Sequence, residues 1–336
     1  MNVKKIESLF NEPLHELGAR ADAMNDYVTF VVNKHINYTD VCEVRCPLCA
    51  FSNRRGYTMS VDEIVEEAVK AEKSGATEVH IVGGLNPELG IEYFEEAFRR
   101  IKERTGLTIK ALTASEILYY ARKERTSVRE FLSRLRDVGL AALPGGGAEI
   151  LADDVRRVIS PRKCSSEEWL RVMRIAHELG LKSNATMLFG HVESIKHRAL
   201  HLYRLRKLQE KTGGFVSFIP LPFHPENTRL KARGLVRDRT GVADILRTIA
   251  VSRIVLENFR SVRAYWVLLG ENLASVALRY GANDLDGTVM GEKIGHAAGA
   301  KSPTQLSVER LVRIAKASGK RVAQRDTFCN VLRWFD

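Results

Sequence analysis

The sequence lacks the features that mark a membrane protein, an exported protein or a disordered chain. No apolar run approaches the roughly 20 residues that a membrane-spanning helix needs. The opening stretch, MNVKKIESLFNEPLHEL, scatters charges through an amphipathic pattern and has no apolar signal-peptide core. Low-complexity tracts are missing, and 45% of the 336 residues are hydrophobic. The sequence therefore predicts a folded cytoplasmic protein with a full core.

Cysteine is scarce, and its distribution fits no disulfide framework. There are five cysteines, an odd number, and three of them fall within eight residues. Such a group in a reducing compartment indicates metal chemistry. Cys164 and Cys329 stand alone in the sequence, and we interpret them as structural thiols.

The net charge of +11 permits two interpretations, a nucleic-acid footprint or attraction of small anionic substrates. The basic residues are interspersed with acidic ones, as in RRIKERTG and RLRKLQEKTGG, rather than gathered into a stripe. This pattern favours solvated helix faces. We therefore expect a small-molecule substrate and no nucleic-acid or membrane partner.

Apolar strand-like runs alternate with amphipathic helical patterns from residue 28 onward. The strand candidates are VTFVVNKHINYT, EVHIVGG, LTIKALT, GLAALPGG, KSNATMLFG, FVSFIPLPF, VRAYWVLL and ANDLDGTV. The helical stretches are 60–74, 91–104, 127–138, 166–180, 196–212, 240–258, 270–280 and 304–319. Eight alternations predict a parallel (β/α)8 barrel of the TIM type, whose chemistry lies on the loops after the strands.

The predicted barrel occupies residues 28–320. Residues 1–27 are expected to form an extra helix on its outside, and residues 321–336 a tail packed on the barrel. No composition shift marks a domain boundary between these parts.

Cys42, Cys46 and Cys49 have the spacing C-x3-C-x2-C directly after the first predicted strand. Three thiolates can ligate three irons of a four-iron cluster, which leaves one iron without a protein ligand. The alternative is a zinc site with Cys164, Cys329 or His35 as a fourth ligand, but structural zinc sites usually supply a second close pair. A zinc-stabilised protein that binds nucleic acid is thus the remote alternative.

This cysteine motif after the first strand resembles that of the radical S-adenosylmethionine (SAM) superfamily. The resemblance implies a 4Fe-4S cluster whose open iron holds SAM, and a one-electron reductant that has still to be identified. Reductive cleavage of SAM then gives methionine and a 5′-deoxyadenosyl radical. The family usually has an aromatic residue before the third cysteine, where this chain has Leu48.

Further residues match the SAM-binding motifs of that superfamily. Gly83 and Gly84 resemble its glycine-rich turn, where backbone can approach the ligand because no side chain intervenes. The run from Thr186 to Glu193 resembles its G-x-I-x-G-x-x-E motif, with threonine in place of the first glycine. Glu149, in PGGGAE, is a candidate partner for the ribose hydroxyls or else a solvated loop residue.

Longer blocks resemble one branch of the superfamily, the menaquinone enzymes of the futalosine pathway. The blocks are HIVGGLNP, KALTASEI, LPGGGAEIL, SNATMLFGHVE, LQEKTGGFVSFIPLPFHPENT and GANDLDGT. They are most similar to the aminofutalosine synthases, with the cyclic dehypoxanthine futalosine synthases as the alternative. The former resemblance implies that the deoxyadenosyl radical adds to 3-[(1-carboxyvinyl)oxy]benzoate and that carbon dioxide is lost, giving aminofutalosine.

A substrate with two carboxylates requires hydrogen-bond donors or positive charge at the mouth of the barrel. Several polar residues lie near predicted strand ends, and each has a structural role as its alternative. These candidates are His80, Lys110, Thr113, His191, His224 and Asp284.

Overall fold

A computed structural model describes residues 1–53, 56–236 and 238–335 of the chain. Seven parallel strands lie side by side in chain order. They are β2 (Asn33–Asn37), β3 (Glu78–Val82), β4 (Thr108–Ala111), β5 (Leu140–Leu143), β6 (Lys182–Phe189), β7 (Phe215–Pro222) and β8 (Ser261–Val262). Most of their residues are buried, as expected for a parallel sheet that helices cover.

One further strand, β9 (Asp284–Gly287), lies between the two edges of this curled sheet. On one side a parallel bridge joins Arg263 to Asp284, and on the other side a parallel bridge joins Lys34 to Met290. The His35 N–H donates to Met290 O at 2.8 Å across the second junction. The seven strands and β9 therefore form a closed ring, which confirms the predicted barrel.

A second sheet of four strands shares β9 with this ring. Its other members are β1 (Tyr27–Val31), β10 (Arg321–Arg325) and β11 (Val331–Phe335). Strand β1 lies parallel to both β9 and β10, and β11 pairs antiparallel with β10. Because β1 runs directly into β2, the first stretch of extended chain belongs to both sheets. The C-terminal residues thus add strands beside the start of the barrel.

The helices follow local sequence signals. They are α1 (Val3–Leu9), α2 (Leu14–Asp22), α3 (Val61–Lys73), α4 (Ile91–Arg104), α5 (Ala114–Lys123), α6 (Val128–Asp137), α7 (Asp153–Ile159), α8 (Ser166–Glu178), α9 (Ile195–Thr212), α10 (Arg229–Ala232), α11 (Val242–Val255), α12 (Trp266–Leu269), α13 (Glu271–Ala277), α14 (Ile294–Ala297) and α15 (Val308–Lys316), with a 3-10 turn at Phe51–Asn53. Ser60 and Glu63 form the capping box at the start of α3, as the sequence predicted. Helix α6 buries Val128, Phe131, Leu132 and Leu135, the spacing of one helical face.

Two expectations about these elements were wrong. The N-terminal segment forms two short helices instead of one, because Pro13 stands between them and lacks the N–H to continue α1. The run 262–269 was predicted as a strand, but only Ser261–Val262 is extended and Trp266–Leu269 is helical. The Trp266 indole N–H donates to Gly287 O at 2.8 Å, which ties this short helix to the end of β9.

No helix among the described residues has both the length and the apolar character needed to cross a lipid bilayer.

Candidate active site

A cavity of about 330 Å³ opens at the carboxyl ends of the barrel strands. Its lining includes all three clustered cysteines, on a segment that we call the cysteine loop (residues 42–49). Among the candidates from the sequence, the lining also includes Gly83, Gly84, Glu149, Thr186, His80, Lys110, Thr113 and His224. The fold therefore gathers residues from five further strands and the loops that follow them around the cysteines.

The cysteine loop follows β2 and packs against a turn after β3. A Cβ added to Gly84 would lie 2.1 Å from Val41 O and 3.0 Å from the Cys42 Cβ, far inside contact distance. At Gly83 an added Cβ would lie 2.9 Å from Thr39 O. Both glycines are thus required for the close approach of the two backbones.

Glu116 fixes this glycine turn, a role that the local sequence pattern does not reveal. Its carboxylate accepts hydrogen bonds from the Gly83 N–H at 3.1 Å and the Tyr38 hydroxyl at 2.9 Å. The other oxygen accepts from the Thr113 N–H at 2.7 Å, within the capping box of α5. The sequence pattern Thr113-x-x-Glu116 predicts that helix start, but not the contact with the turn 33 residues earlier.

The three thiols fit an iron–sulfur cluster better than a single zinc ion. A zinc ion needs ligands that converge on one point at about 2.3 Å each. Within residues 1–53, 56–236 and 238–335, no three His, Cys, Asp or Glu side chains converge in that way. In a four-iron cluster each thiolate binds a different iron, so that the sulfurs stand apart. Burial raises the pKa of Cys46 to about 11, so that cluster binding has to displace its proton.

Glu149 and Lys163 form an ion pair beside the cysteine loop, which we call the rim pair. Their oxygen and nitrogen lie 2.7 Å apart, and their side chains are 12% and 19% exposed. Both residues line the cavity. Lys163 was not among the residues singled out from the sequence, because nothing in the local pattern distinguishes it from a solvated lysine.

A second group of charged and aromatic side chains, which we call the floor group, lies on or directly after the barrel strands, and all its members except Glu78 line the cavity. Its members are His35, Glu78, His80, Lys110, Arg263 and Asp286. Lys110 pairs with Glu78, and Arg263 pairs with Asp286. The side chains of Lys110 and Arg263 are only 2% and 1% exposed. Each cation of the floor group therefore already has a carboxylate partner within the protein.

The two histidines of the floor group lie against each other, with ring centroids 4.3 Å apart. Burial lowers the pKa of both, and in His80 the neighbouring His35 and Lys110 lower it further. Burial raises the pKa of Asp286, but the positive charges of Arg263 and Lys110 lower it by more, to about 2. The floor group thus presents neutral imidazoles between compensated ion pairs.

Two other candidates line the cavity with part of their hydrogen-bonding capacity used. The Thr186 hydroxyl donates to Gly145 O at 3.0 Å, which joins β6 to the loop after β5. The His224 Nε2–H donates to Leu268 O at 3.0 Å, whereas its buried Nδ1 has no protein partner. His224 therefore keeps an acceptor nitrogen without a protein partner beside the cavity.

Three candidates from the sequence do not line the cavity. Glu193 is buried in the turn after β6, where it accepts from the Gly190 N–H at 2.6 Å and from Arg198 at 2.8 Å. His191 is enclosed in the same turn, 2.9 Å from Glu193. Asp284 lies below the cavity and binds Arg325 through contacts of 2.5 and 2.9 Å. Their polar atoms serve the framework of the barrel.

Comparison with known proteins places this geometry in a family. The sequence model of the Radical SAM superfamily matches residues 36–202, and that of the CofH/MqnC C-terminal region matches residues 212–329. An aminodeoxyfutalosine synthase of Thermus thermophilus is 41% identical over 312 residues, which cover 91% of this chain and 84% of that protein.

A second relative carries a different activity in its name. A 5-amino-6-(D-ribitylamino)uracil–L-tyrosine 4-hydroxyphenyl transferase of Archaeoglobus fulgidus is 38% identical over 315 residues, or 93% of this chain and 91% of that protein. Among solved structures, a methylornithine synthase superposes with a TM-score of 0.75 at 20% identity, covering 95% of this chain and 93% of the other. The chain belongs to the radical SAM superfamily and, within it, to the CofH/MqnC family.

Proposed function

We propose that this radical SAM enzyme adds the 5′-deoxyadenosyl group of SAM to 3-[(1-carboxyvinyl)oxy]benzoate, with loss of carbon dioxide, to give aminofutalosine for menaquinone biosynthesis. The observation that carries the proposal is the 41% identity to an aminodeoxyfutalosine synthase over 91% of the chain. The reaction needs a small dicarboxylate substrate and an external one-electron reductant.

Radical SAM enzymes use a 4Fe-4S cluster and SAM, and the cysteine loop supplies the ligands that such a cluster needs. When bound, the cluster supplies the electron that cleaves SAM to methionine and the deoxyadenosyl radical. Cys42, Cys46 and Cys49 would hold the cluster. Gly83 and Gly84 would leave their backbone open to the methionyl part of SAM.

On the remaining wall of the cavity, Glu149 and Thr186 are the proposed neighbours of the adenosyl part of SAM. Both line the cavity, Glu149 from the loop after β5 and Thr186 from the adjacent strand β6. Glu193, which the sequence motif suggested for the same role, would act indirectly by holding the turn after β6. Leu188 and Phe223 add apolar surface to the lining, which helps to keep water from a reactive radical.

The proposed substrate side of the cavity comprises His80, Lys110, Thr113 and His224. Because Lys110 is paired with Glu78, it would contribute to a carboxylate site only as part of that ion pair. A neutral donor such as His80 is better placed to meet a carboxylate, whereas Thr113 already hydrogen-bonds the buried Glu116 carboxylate. His191 and Asp284 are left out of this side because neither lines the cavity.

Two other reactions of the same family are the alternatives. The 38% identity to the Archaeoglobus relative favours transfer of the 4-hydroxyphenyl group of tyrosine to 5-amino-6-(D-ribitylamino)uracil. The match of residues 212–329 to the CofH/MqnC C-terminal region also accommodates a cyclic dehypoxanthine futalosine synthase. All three use the same cluster chemistry and differ in the substrate that meets the radical.

A single assay separates the three reactions. The protein is purified anaerobically, reconstituted with iron and sulfide, reduced with dithionite and given SAM with each substrate in turn. We expect aminofutalosine, identified by mass spectrometry, only with the enol-ether benzoate. The Cys42→Ala variant under the same conditions is the control. Free 5′-deoxyadenosine as the sole adenosyl product from that substrate, or turnover of one of the other substrates instead, would reject the proposal.

A further inference from the structure

The segment after α7 forms a second support for the cysteine loop. The Leu48 N–H donates to Ile159 O at 3.3 Å. The Arg162 guanidinium donates to the carbonyls of Glu43, at 2.8 Å, and Val44. Lys163 follows Arg162 and lines the cavity. Its position beside the cysteines is therefore fixed by the backbone on which it stands.

Both members of the rim pair are charged. Burial opposes the charge of Lys163, but the Glu149 carboxylate and the Cys46 thiol raise its pKa above the ordinary value. Burial likewise opposes the charge of Glu149, and Lys163 lowers the pKa of that carboxyl below its usual range. Cys46 and Cys49 both interact electrostatically with Lys163. A fixed positive charge thus stands within electrostatic reach of Cys46 and Cys49, and a fixed negative charge within reach of Cys46.

Arg156 holds both charges in place. It is buried, and its Nη2–H donates to Gly147 O at 3.2 Å in the loop that carries Glu149. Its Nε–H donates to Cys164 O at 3.0 Å, one residue beyond Lys163. The loop of Glu149 is also tied to β6, since the Leu188 N–H donates to Glu149 O at 2.8 Å. The rim pair is therefore a built feature of the cavity and not an incidental surface contact.

We propose that the rim pair sets the reduction potential of the cluster on the cysteine loop, with Lys163 raising the potential and Glu149 lowering it. Reduction adds negative charge to the cluster, so a neighbouring cation stabilises the reduced form and a neighbouring anion destabilises it. The low dielectric of the cavity wall makes such charges effective. This inference rests on the cluster of the superfamily and is independent of the substrate proposed above.

The test is an anaerobic redox titration of the reconstituted protein, without SAM or substrate, followed by the EPR signal of the reduced cluster. Lys163→Met should shift the midpoint potential to a more negative value, because a cation is lost. Glu149→Gln should shift it in the opposite direction. Lys163→Arg, which keeps the charge, should stay close to the wild type, and the double variant should lie between the two single variants.

Lys207→Met is the matched control, since it also removes one positive charge that is paired with a glutamate, but from the exposed face of α9. It should leave the potential unchanged. The inference is overturned if Lys163→Met and Glu149→Gln shift the potential in the same direction, or if neither shifts it. Iron and sulfide contents are measured first. If Lys163→Met does not take up the cluster, the test rests on Glu149→Gln, whose midpoint potential should be less negative than that of the wild type. Loss of aminofutalosine synthesis with the opposed shifts intact would reject only the proposed substrate.

Discussion

The floor group and the rim pair are two sets of buried charge in one cavity, and they differ in what surrounds them. Lys110 and Glu78 are 2% and 0% exposed and lie on barrel strands, whereas Lys163 and Glu149 are 19% and 12% exposed and lie on loops. A deeply buried pair cannot lose one member without stranding the other. The Lys110–Glu78 pair therefore contributes chiefly to the stability of the barrel, whereas either charge of the rim pair can be changed at a smaller cost in stability.

The largest expected effect is a loss of activity without a loss of folding, and it comes from the cysteine loop beside the rim pair. Replacing Cys42, Cys46 or Cys49 by Ala should each abolish cluster binding and turnover, because each iron needs its thiolate. The folded barrel should remain, with an unchanged circular dichroism spectrum. Iron analysis and the product assay measure the loss, and Cys164→Ala is the control that should retain both. A variant that lost a loop cysteine and kept its full iron content would exclude this assignment.

At the floor, Lys110→Met should destabilise the protein by about 3–5 kcal/mol, because Glu78 is left buried and unpaired. Urea unfolding of the apoprotein measures the change. The double variant Lys110→Met with Glu78→Gln should recover most of the loss. Lys163→Met should lower the free energy of unfolding by less, because its partner Glu149 is partly exposed to water. Equal losses at both positions would contradict the distinction between floor and rim.

The glycine turn that packs against the start of the cysteine loop should be sensitive to a single added methyl group. Gly84→Ala places a Cβ 2.1 Å from Val41 O, which has to push the cysteine loop outward. We expect a stability loss of about 1–3 kcal/mol together with reduced iron loading. Gly241→Ala is the control, because an added Cβ there meets nothing within 4 Å. Wild-type iron loading in Gly84→Ala would show that the loop tolerates displacement.

The smallest effect is the part of the pH dependence of stability that comes from His80 in the floor group. Burial lowers the pKa of His80, so below about pH 6.5 the unfolded chain takes up a proton that the folded protein refuses. Stability should fall on acidification, by at most about 1.4 kcal/mol per pH unit for this group. Burial would raise the pKa of Glu149, but Lys163 lowers it below the usual value. The stability that Glu149 contributes is therefore lost only below about pH 4.5.

Urea unfolding of the wild type and His80→Asn between pH 7.5 and 5 isolates this contribution. The variant should show the shallower dependence. His15→Asn, at a side chain that is 82% exposed, is the control and should leave the dependence as it is. If the free energy of unfolding falls equally with pH in the wild type and in His80→Asn, His80 does not contribute to the pH dependence.

What the sequence predicted well depends on neighbours along the chain. The cysteine spacing and the capping box of Ser60 and Glu63 are local, and both appear where the sequence placed them. The order of strands followed from alternation alone. By contrast, an apolar run such as 262–269 suits a buried helix as well as a strand, and here tertiary contacts of Trp266 decided.

The ion-pair partners of the charged side chains could not be predicted from the sequence. Lys110 is a plausible carboxylate binder until Glu78, 32 residues away, is seen to neutralise it. Lys163 gave no signal, because its importance comes from the fold of two separate loops. Glu116 is the intermediate case, since its capping motif is visible in the sequence and its hold on Gly83 is not.

The contact between Arg325 and Asp284 has a consequence for biosynthesis. Both side chains are fully buried, and they lie 41 residues apart in the sequence. During translation Asp284 therefore waits without its guanidinium until Arg325 has left the ribosome. Because β1 pairs with both β9 and β10, we expect these three strands to dock only after all of them have been synthesised, which makes this sheet a late folding event between distant parts of the chain.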